Sequence, residues 1–332
     1  MSRIKVAALY RPGKARTGVS SYADRLEKAL AGSVELEFVK KIPKSGFDLI
    51  HIIDVKSASI TDVLNQPVPV IADLHDYYWA EYQFFWSLDA PLRWFFQKRR
   101  KPRYQKIINS ASGVIVHSRA VGKYVLNPKV FLVPIAIEYE KLYADPGLPR
   151  QPLILLVGRD DWRKGLGTLI SALRVLRKDF PGYEVRTEVI GDEYLHGKIL
   201  GKLFSLGSDL KYRSGMSFDQ LISCYQRAMI IYLGSWQEGF GLSLAEGIAA
   251  GCVAIGSDAG GIPELIQDGK TGILFTTGEK MELAAKIQAA LENDELRENL
   301  ARRGQKFVKE NFSMERMRES LLSAYQEVLK GA

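Results

Sequence analysis

Residues 235–247 read SWQEGFGLSLAEG, and they follow the apolar run 229–233. The run has the length and composition of a buried strand, and the residues after the glycine-rich loop predict a helix. In this arrangement Glu238 lies before the helix start and Glu246 lies inside the helix. The loop glycines leave the first helical turn without side chains beside it. Its unpaired backbone N–H groups can therefore meet a hydroxyl or a phosphate directly.

The spacing of the two glutamates suggests a ligand. Glu246 follows Glu238 by eight positions, which corresponds to about 12 Å at the rise per residue of a helix. One carboxylate at that distance can hold a sugar while the other holds the ribose of the same nucleotide-activated sugar. The alternative is that both glutamates are solvated side chains of a surface helix. Other motifs of the chain are needed to distinguish the two interpretations.

The composition is that of a soluble globular protein. The chain has 332 residues, 46% hydrophobic and 25% charged, which is long for one core and suits two domains. Cys224 and Cys252 are the only cysteines, which excludes a disulfide framework and a cysteine metal cluster. No apolar run has the length of a membrane span, and residues 1–10 are typical of a first strand rather than a signal peptide. We expect a cytoplasmic protein.

Strand and helix patterns alternate along the chain and restart once. The predicted strands are 4–10, 49–53, 68–72, 113–117 and 130–133, followed by 153–157, 185–190, 229–233 and 253–255. Between the two series, residues 143–152 are rich in proline and glycine and predict a linker. The fold class is therefore α/β, with two doubly wound Rossmann-like domains, 1–145 and 150–312, facing each other across a cleft. Ligands of such sheets lie at the carboxyl ends of the strands.

Several loops at strand ends carry charged or small residues. Residues 158–165, GRDDWRKG, follow one predicted strand, and there Arg159 and Lys164 can face a diphosphate. A solvated basic loop is the alternative. In the first domain, Gly18 lies between a strand and a helix, where it lets backbone amides approach a phosphate or simply belongs to a helix cap.

One histidine stands out by its position. His75 lies at a strand end between Asp73 and Asp76, which makes it a better candidate for a site than a histidine in the middle of a strand. The other histidines, His51, His117 and His196, lack that setting or show it less clearly, and they are left out of the predicted site.

Residues 235–272, SWQEGFGLSLAEGIAAGCVAIGSDAGGIPELIQDGKTG, resemble the signature of the retaining glycosyltransferases with the GT-B fold, family 4 type. The hallmark of that family is Glu-x7-Glu followed by Gly-Gly-x-Pro-Glu, which here is residues 260–264. The similarity extends to residues 74–76, 157–159, 164–165 and 190–192, and to a closing helix in 313–332 that in this fold crosses back to the first domain. Gly18-Val19 stands where the family has paired glycines.

The resemblance implies a metal-independent, retaining hexosyltransferase that uses a nucleoside-diphosphate sugar of the UDP or GDP type and no cofactor. Glu246 would bind the ribose, Glu238 the sugar, and Arg159 with Lys164 the leaving diphosphate. The implied donor site comprises Gly18, Gly158, Arg159, Lys164, Glu238, Gly239, Phe240, Gly241, Leu242 and Glu246, and the implied catalytic residues are His75, Arg159, Lys164 and Glu238. The resemblance implies that the acceptor attacks the sugar on the face from which the diphosphate leaves, which would retain the anomeric configuration. A double displacement with Glu238 as the nucleophile is the alternative. Two further alternatives are a nucleotide-sugar epimerase and a non-catalytic nucleotide-sugar-binding protein.

The positive charge is concentrated in the first domain. Residues 1–150 contain 23 Lys and Arg against 14 Asp and Glu, and residues 90–137 contain no acidic residue. Eleven of the 34 aromatic residues lie in 77–104, beside Arg99, Arg100 and Arg103. This segment predicts peripheral association with an anionic membrane and a lipid-linked or other glycan acceptor. A helical insert that packs its aromatic side chains on the core is the alternative. Nucleic acid binding is not expected, because no binding module accompanies the charge.

Overall fold

A computed structural model describes residues 3–11, 18–77, 90–158, 163–179, 185–191 and 210–331, with the backbone alone at 90–94 and 97. The chain divides into two compact units, one formed by Met1–Ala136 with Phe312–Ala332 and the other by Ile137–Asn311. The proline- and glycine-rich stretch 143–152 therefore belongs to the second unit. Arg159 and the aromatic residues of 78–89 lie outside the described residues.

The first unit is built on six parallel strands in the order β2-β1-β3-β4-β5-β6. The strands are β1 Lys5–Leu9, β2 Glu35–Val39, β3 Leu49–Ile52, β4 Val70–Leu74, β5 Gly113–Val116 and β6 Val130–Leu132. The helices are α1 Gly18–Leu30, α2 Ala90–Ser110, α3 Arg119–Gly122 and, from the end of the chain, α11 Met314–Lys330, with a 3-10 turn at Ile60–Asp62.

The closing helix belongs to the first unit. Helix α11 packs on α1 and on strands β5 and β6. Met317, Leu321 and Tyr325 lie on its buried face. Their spacing of four residues places them on one side of the helix, which explains why this side covers the sheet.

The second unit holds another sheet of six parallel strands, in the order β12-β11-β10-β7-β8-β9. The strands are β7 Gln151–Val157, β8 Arg186–Ile190, β9 Leu210–Arg213, β10 Ala228–Leu233, β11 Val253–Ser257 and β12 Ile273–Phe275. The helices are α4 Tyr139–Leu142, α5 Leu166–Asp179, α6 Phe218–Arg227, α7 Leu242–Ala249, α8 Ile262–Leu265, α9 Lys280–Glu292 and α10 Asp294–Asn311.

Both sheets confirm the prediction of two Rossmann-like domains. Numbered within its own unit, the second sheet has the order 3-2-1-4-5-6, and the first begins 2-1-3-4-5, which are the two common orders of doubly wound sheets. Each predicted strand is present, but β2, β9 and β12 were not predicted from the sequence. In the part of the chain that the structure describes, no helix combines the length and apolar character needed to cross a bilayer.

Candidate functional site

The candidate site of the second unit lies where its strand order reverses. Strands β7 and β10 are parallel neighbours, so their carboxyl ends meet at one edge of the sheet. The loop after β7 leads from Gly158 to Lys164, and the loop after β10 leads from Gly234 to Glu238. Ligands of doubly wound sheets bind in the crevice at such a reversal.

An ion pair joins these two loops. Nζ of Lys164 lies 2.9 Å from Oε2 of Glu238, and the exposed fractions of the two side chains are only 12% and 11%. The Ser235 hydroxyl donates to the same carboxylate oxygen over 2.9 Å. The predicted donor-binding residues Lys164 and Glu238 are therefore in direct contact, although 74 positions separate them in the chain.

Glycines allow the loops to pack this closely. Gly165 has a φ of +84°, and a Cβ there would lie 2.2 Å from the carbonyl oxygen of Gly234. The N–H of Gly234 in turn donates to the carbonyl of Lys164 over 3.1 Å. Gly158, with a φ of +144°, lies under the Lys164 side chain, where a Cβ would come within 2.5 Å of Cε. These glycines set the position of the Lys164 ammonium group.

The Gly-Gly-x-Pro-Glu turn holds the backbone of Glu238. The N–H of Gly261 donates to the Glu238 carbonyl over 2.9 Å. Gly260 has a φ of +57°, and a Cβ at this position would lie 2.1 Å from the same carbonyl oxygen. This motif therefore has a physical role. Its glycines allow two backbone segments to pack so closely that a residue with a Cβ would not fit between them.

The electrostatic environment keeps the Glu238 carboxyl group ionised. Burial raises the pKa of Glu238, but the charges of Lys164 and Arg163 and the hydrogen bonds from Lys164 and Ser235 lower it more, so the net pKa lies below the usual 4.5. A carboxylate in this state accepts hydrogen bonds and donates none. It suits the binding of sugar hydroxyl groups.

This lowered pKa predicts a pH-dependent contribution to stability. A carboxyl group whose pKa falls on folding stabilises the fold fully above its unfolded pKa, and the contribution is lost as the pH falls through the folded pKa. The free energy of unfolding of wild type should therefore exceed that of Glu238→Gln by a constant amount above about pH 5, and the difference should shrink on acidification. Urea unfolding between about pH 3 and pH 7 measures it. A difference that grows towards low pH would contradict the assignment.

Helix α7 carries the second glutamate. Its N-cap is Gly241, with a φ of +95°, so the helix starts directly after the loop that holds Glu238. Glu246 is only 5% exposed. The hydroxyl of Tyr225, a fully buried residue of α6, donates to Oε2 of Glu246 over 3.0 Å. Tyr225 was not predicted from the sequence, because its contact with Glu246 joins two different helices.

Three further residues of the predicted donor site have described positions, and a fourth has none. Phe240 is buried in the loop, and Leu242 is the first residue of α7. Gly18 is the first residue of α1 in the other unit, and no described atom lies within 4 Å of a Cβ built on it. Arg159 lies outside the described residues, so its role remains a prediction.

His75 belongs to a cluster of histidines in the first unit. Its Nε2 lies 2.7 Å from the carbonyl oxygen of Ile53, and its ring centroid is 4.7 Å from that of His117 and 4.8 Å from that of Tyr22. Burial lowers the pKa of His75, only partly opposed by the charge of Asp73. His75 is therefore favoured in its neutral form.

The sequence reasoning missed two histidines of this cluster. His51 lies within β3, where Nε2 is 2.8 Å from Oδ1 of Asp73 and Nδ1 is 2.7 Å from the hydroxyl of Tyr325. His117 directly follows β5. His117 could have been found by the strand-end argument that singled out His75. The pairing of β3 with β4, which brings His51 beside Asp73, could not be read from the sequence.

The basic segment of α2 is partly exposed. Phe95 and Phe96 are 46% and 49% exposed, and the guanidinium of Arg99 lies 4.8 Å above the ring of Phe95. Arg99 and Arg100 are exposed. The guanidinium of Arg103 instead donates to the backbone carbonyl of Ala58. Arg103 thus anchors α2 to a loop of the first unit, whereas the other two arginines face solvent.

Comparisons with known proteins agree with this fold. Sucrose-phosphate synthase from Thermosynechococcus elongatus superposes with a TM-score of 0.82 at 20% identity, covering 99% of this chain and 100% of that one. The structure of Anabaena HepE in complex with UDP and glucose gives 0.76 at 16% identity, covering 98% and 100%. The predicted GT-B fold is confirmed.

The sequence comparisons identify the family. An uncharacterized glycosyltransferase of Methanocaldococcus jannaschii, MJ1178, is 30% identical over 175 residues, which are 52% of this chain and 48% of that protein. The matches span about half or less of the length of the curated relatives compared first. The family described as "Glycosyl transferases group 1" matches residues 140–307, the part that contains the Lys164–Glu238 pair and helix α7. The chain belongs to the group 1 glycosyl transferase family.

Proposed function

We propose that this chain is a retaining glycosyltransferase of the family 4 type, which moves a hexosyl group from a nucleoside-diphosphate sugar to an acceptor. The observation that carries the proposal is the largely buried Lys164–Glu238 ion pair at the strand-order reversal of the second sheet. Nearby in the chain, Glu246 is held inside the next helix by Tyr225. A cation and a carboxylate at one sheet edge, followed by a second carboxylate in the next helix, match a donor with a diphosphate and hydroxyl groups at both ends.

Each of these groups has a role in the proposal. The Lys164 ammonium stabilises the negative charge of the departing diphosphate, as a divalent metal does in other transferases, and Arg159 assists it. Glu238 accepts hydrogen bonds from the sugar hydroxyls, and Glu246 accepts those of the ribose. Anabaena HepE, a protein of the same fold, binds UDP and glucose in its structure. A donor of the UDP type is therefore the first to test.

Retention is proposed to occur by attack on the face from which the diphosphate leaves. The lowered pKa of Glu238 and its two hydrogen bonds on one oxygen favour a group that binds hydroxyls. A double displacement with the Glu238 carboxylate as nucleophile is the alternative, and it would pass through a covalent glycosyl-enzyme intermediate. The transfer itself needs no metal ion in this proposal.

The test begins with donor binding. Thermal shift measurements with UDP, GDP, ADP and their hexose derivatives should show a raised Tm for one base, because a ligand that binds the folded state alone stabilises it. NMR of the product formed with that donor should then show the anomeric configuration of the donor. Inversion at the anomeric carbon, or no binding of any nucleotide, would overturn the proposal.

Two other functions make different predictions in the same assay. A nucleotide-sugar epimerase would isomerise the donor sugar without any acceptor. A non-catalytic binding protein would show the thermal shift but neither hydrolysis nor transfer over long incubation. The shared charged site does not by itself distinguish them, so the product analysis decides.

For the acceptor, we propose a lipid-linked or other glycan substrate that meets the chain at a membrane surface on the cytoplasmic side. The exposed Phe95 and Phe96, together with Arg99 and Arg100, support this proposal over the alternative of aromatic side chains packed on the core. Aromatic and basic side chains on one exposed helix bind the interface of anionic bilayers.

The double variant Arg99→Glu/Arg100→Glu should lose binding to liposomes that contain anionic lipid. Each basic residue near such a surface contributes about 1 kcal/mol, so the reversal of both charges should reduce binding by at least about 30-fold at low salt. Cosedimentation measures this. Lys40→Glu/Lys41→Glu is the matched control, since it makes the same charge change at exposed positions of the same unit. Equal loss in both variants would mean a general charge effect and would contradict a specific surface.

A further inference from the structure

Tyr225 and Glu246 form a buried contact between two helices of the second unit. The Tyr225 hydroxyl, on α6, donates to Oε2 of Glu246, on α7, over 3.0 Å. The two residues are 0% and 5% exposed. A buried hydrogen bond to a charged group is strong, and removal of one partner leaves the other without it in a poorly solvated place. This contact therefore constrains both side chains.

The backbone at Tyr225 is held from two other segments of the chain. Its carbonyl oxygen accepts from Nη1 of Arg150 over 3.3 Å and from Sγ of Cys252 over 3.1 Å. Arg150 directly precedes β7, and Cys252 directly precedes β11. The end of α6 that carries Tyr225 is thus tied to two strands of the sheet.

Arg150 also joins α6 to α7. Its guanidinium donates to the carbonyl of Ala228, the C-cap of α6, over 3.0 Å, and to that of Ala250, the C-cap of α7, over 2.6 Å. The last carbonyls of a helix lack partners within it, so a cation at this place is favourable. One arginine therefore fixes the two helices that carry Tyr225 and Glu246 relative to each other.

A further contact attaches α6 to the sheet. Arg227, in the last turn of α6, forms an ion pair with Glu188 of β8, which is only 6% exposed. The Tyr225 ring is fully buried between these attachments, and a packed ring cannot change its rotamer without displacing its neighbours. The Tyr225 hydroxyl is therefore a donor in a fixed position.

A glutamate carboxylate needs such a donor to be oriented. The last torsion of a glutamate side chain has broad minima, so the plane of the carboxylate is only weakly set by the side chain itself. An ionised carboxylate has about four lone-pair sites on its two oxygens. The bond from Tyr225 to Oε2 selects one orientation of the plane, and with it the directions of the other lone pairs.

We propose that Tyr225 is a positioning residue that orients the Glu246 carboxylate toward the ribose hydroxyls and thereby sets the preference for ribonucleotide donors. This inference rests on the proposed function, in which Glu246 binds the ribose. A site built to hydrogen-bond a hydroxyl rejects an analogue that lacks it, provided that the acceptor is held in place. Tyr225 supplies that constraint without touching the donor.

The test compares UDP with 2′,3′-dideoxy-UDP, which lacks both ribose hydroxyls. Tyr225→Phe keeps the buried ring and removes only the hydroxyl oxygen. By calorimetric titration, the Kd for UDP should rise about tenfold, the effect of one lost hydrogen bond to a charged group, whereas the Kd for the dideoxy form should change by less than about twofold. If thermal shift favours another base, the diphosphate of that base and its dideoxy form replace this pair.

Kinetics of the same variant separate positioning from catalysis. The ribose contact is made equally in the ground state and the transition state, so Tyr225→Phe should raise KM for the donor and leave kcat within about twofold of wild type. A kcat that falls as much as kcat/KM would mean that Tyr225 acts on the reacting groups, and would overturn the proposal.

Tyr232→Phe is the matched control. Tyr232 is also fully buried in the second unit, but its hydroxyl donates to the carbonyl of Gly165 over 2.9 Å and not to a carboxylate. This variant loses one buried hydroxyl in the same way and should keep the ratio of the two dissociation constants. If Tyr225→Phe also leaves that ratio unchanged, Tyr225 has no part in ribose recognition.

A second measurement needs no nucleotide. Tyr225→Phe should lower the stability of wild type in urea more than it lowers that of Glu246→Leu, because the second background has no carboxylate for the hydroxyl to hold. Equal losses would overturn the positioning role. The two proposals fail differently: wild type that binds no nucleotide overturns the proposed function and the ribose preference with it, whereas equal changes for UDP and its dideoxy form overturn only the role of Tyr225.

Discussion

Lys164→Ala is expected to lower kcat/KM for glycosyl transfer by about 100- to 1000-fold, the range seen when one preorganised charge-stabilising group is removed. Lys164 is the described cation at the strand-order reversal that contacts Glu238, and its position is set by the glycines below it. The same change leaves Glu238 ionised and largely buried without its ammonium partner. We therefore also expect a loss of about 3 kcal/mol in the free energy of unfolding, the lower end for broken buried pairs.

A second Lys–Glu pair of the same unit provides the control. Nζ of Lys141 lies 2.9 Å from Oε2 of Glu138, the same separation, but the Lys141 side chain is 60% exposed. Lys141→Ala should change the free energy of unfolding by less than about 1 kcal/mol and leave kcat/KM unchanged. Lys164→Arg keeps the charge and should retain more activity than Lys164→Ala. Equal kinetics in Lys164→Ala and wild type would exclude Lys164 from the reaction.

The strands that the sequence predicts and those that it misses differ in the length and continuity of their apolar runs. Strands β3, β4 and β11 are buried along their whole length, so both faces are largely apolar and each contains a mainly apolar run, with His51 in β3 and Asp73 in β4 as buried exceptions. Strand β2, ELEFV, is the edge of the first sheet and is largely exposed, so its charged residues hide the strand pattern. Strands β9 and β12 are the edges of the second sheet. Strand β9, LKYR, alternates apolar with basic residues, and β12, ILF, is apolar and mostly buried but has only three residues, so neither has a long apolar run. Strand β6, the other edge of the first sheet, is also exposed, but it lies in the apolar run 130–133 and was predicted.

The same distinction applies to the candidate site. Glu238 and Glu246 could be recognised because both lie in one short segment with glycines between them. The contacts that hold them come from distant positions: Lys164 for the first and Tyr225 for the second. Such contacts depend on how strands pair and helices pack. Hence the sequence predicted that Lys164 belongs to the site but not that it forms an ion pair with Glu238, and it gave no sign of Tyr225.

The second large effect is expected at Gly260. Gly260→Ala should lower the free energy of unfolding by more than about 4 kcal/mol, a range reserved for severe steric or buried polar defects. The left-handed backbone accounts for about 1 to 2 kcal/mol of this. The rest follows from the new Cβ, which would lie 2.1 Å from the carbonyl oxygen and 2.9 Å from the nitrogen of Glu238. Both are backbone atoms, which cannot rotate away as a side chain can.

Gly269→Ala separates the two contributions, because Gly269 has a similar φ of +67° but nothing within 4 Å of an added Cβ. It should cost only the about 1 to 2 kcal/mol of backbone strain, and it should leave donor binding unchanged. Gly260→Ala should in addition weaken donor binding even where the protein is folded, because relief of the clash must move Glu238. Chemical unfolding and nucleotide titration of both variants measure these differences. Equal destabilisation by the two substitutions would show that the turn at residues 260–264 yields without moving Glu238, and the structural role assigned to this motif would then be wrong.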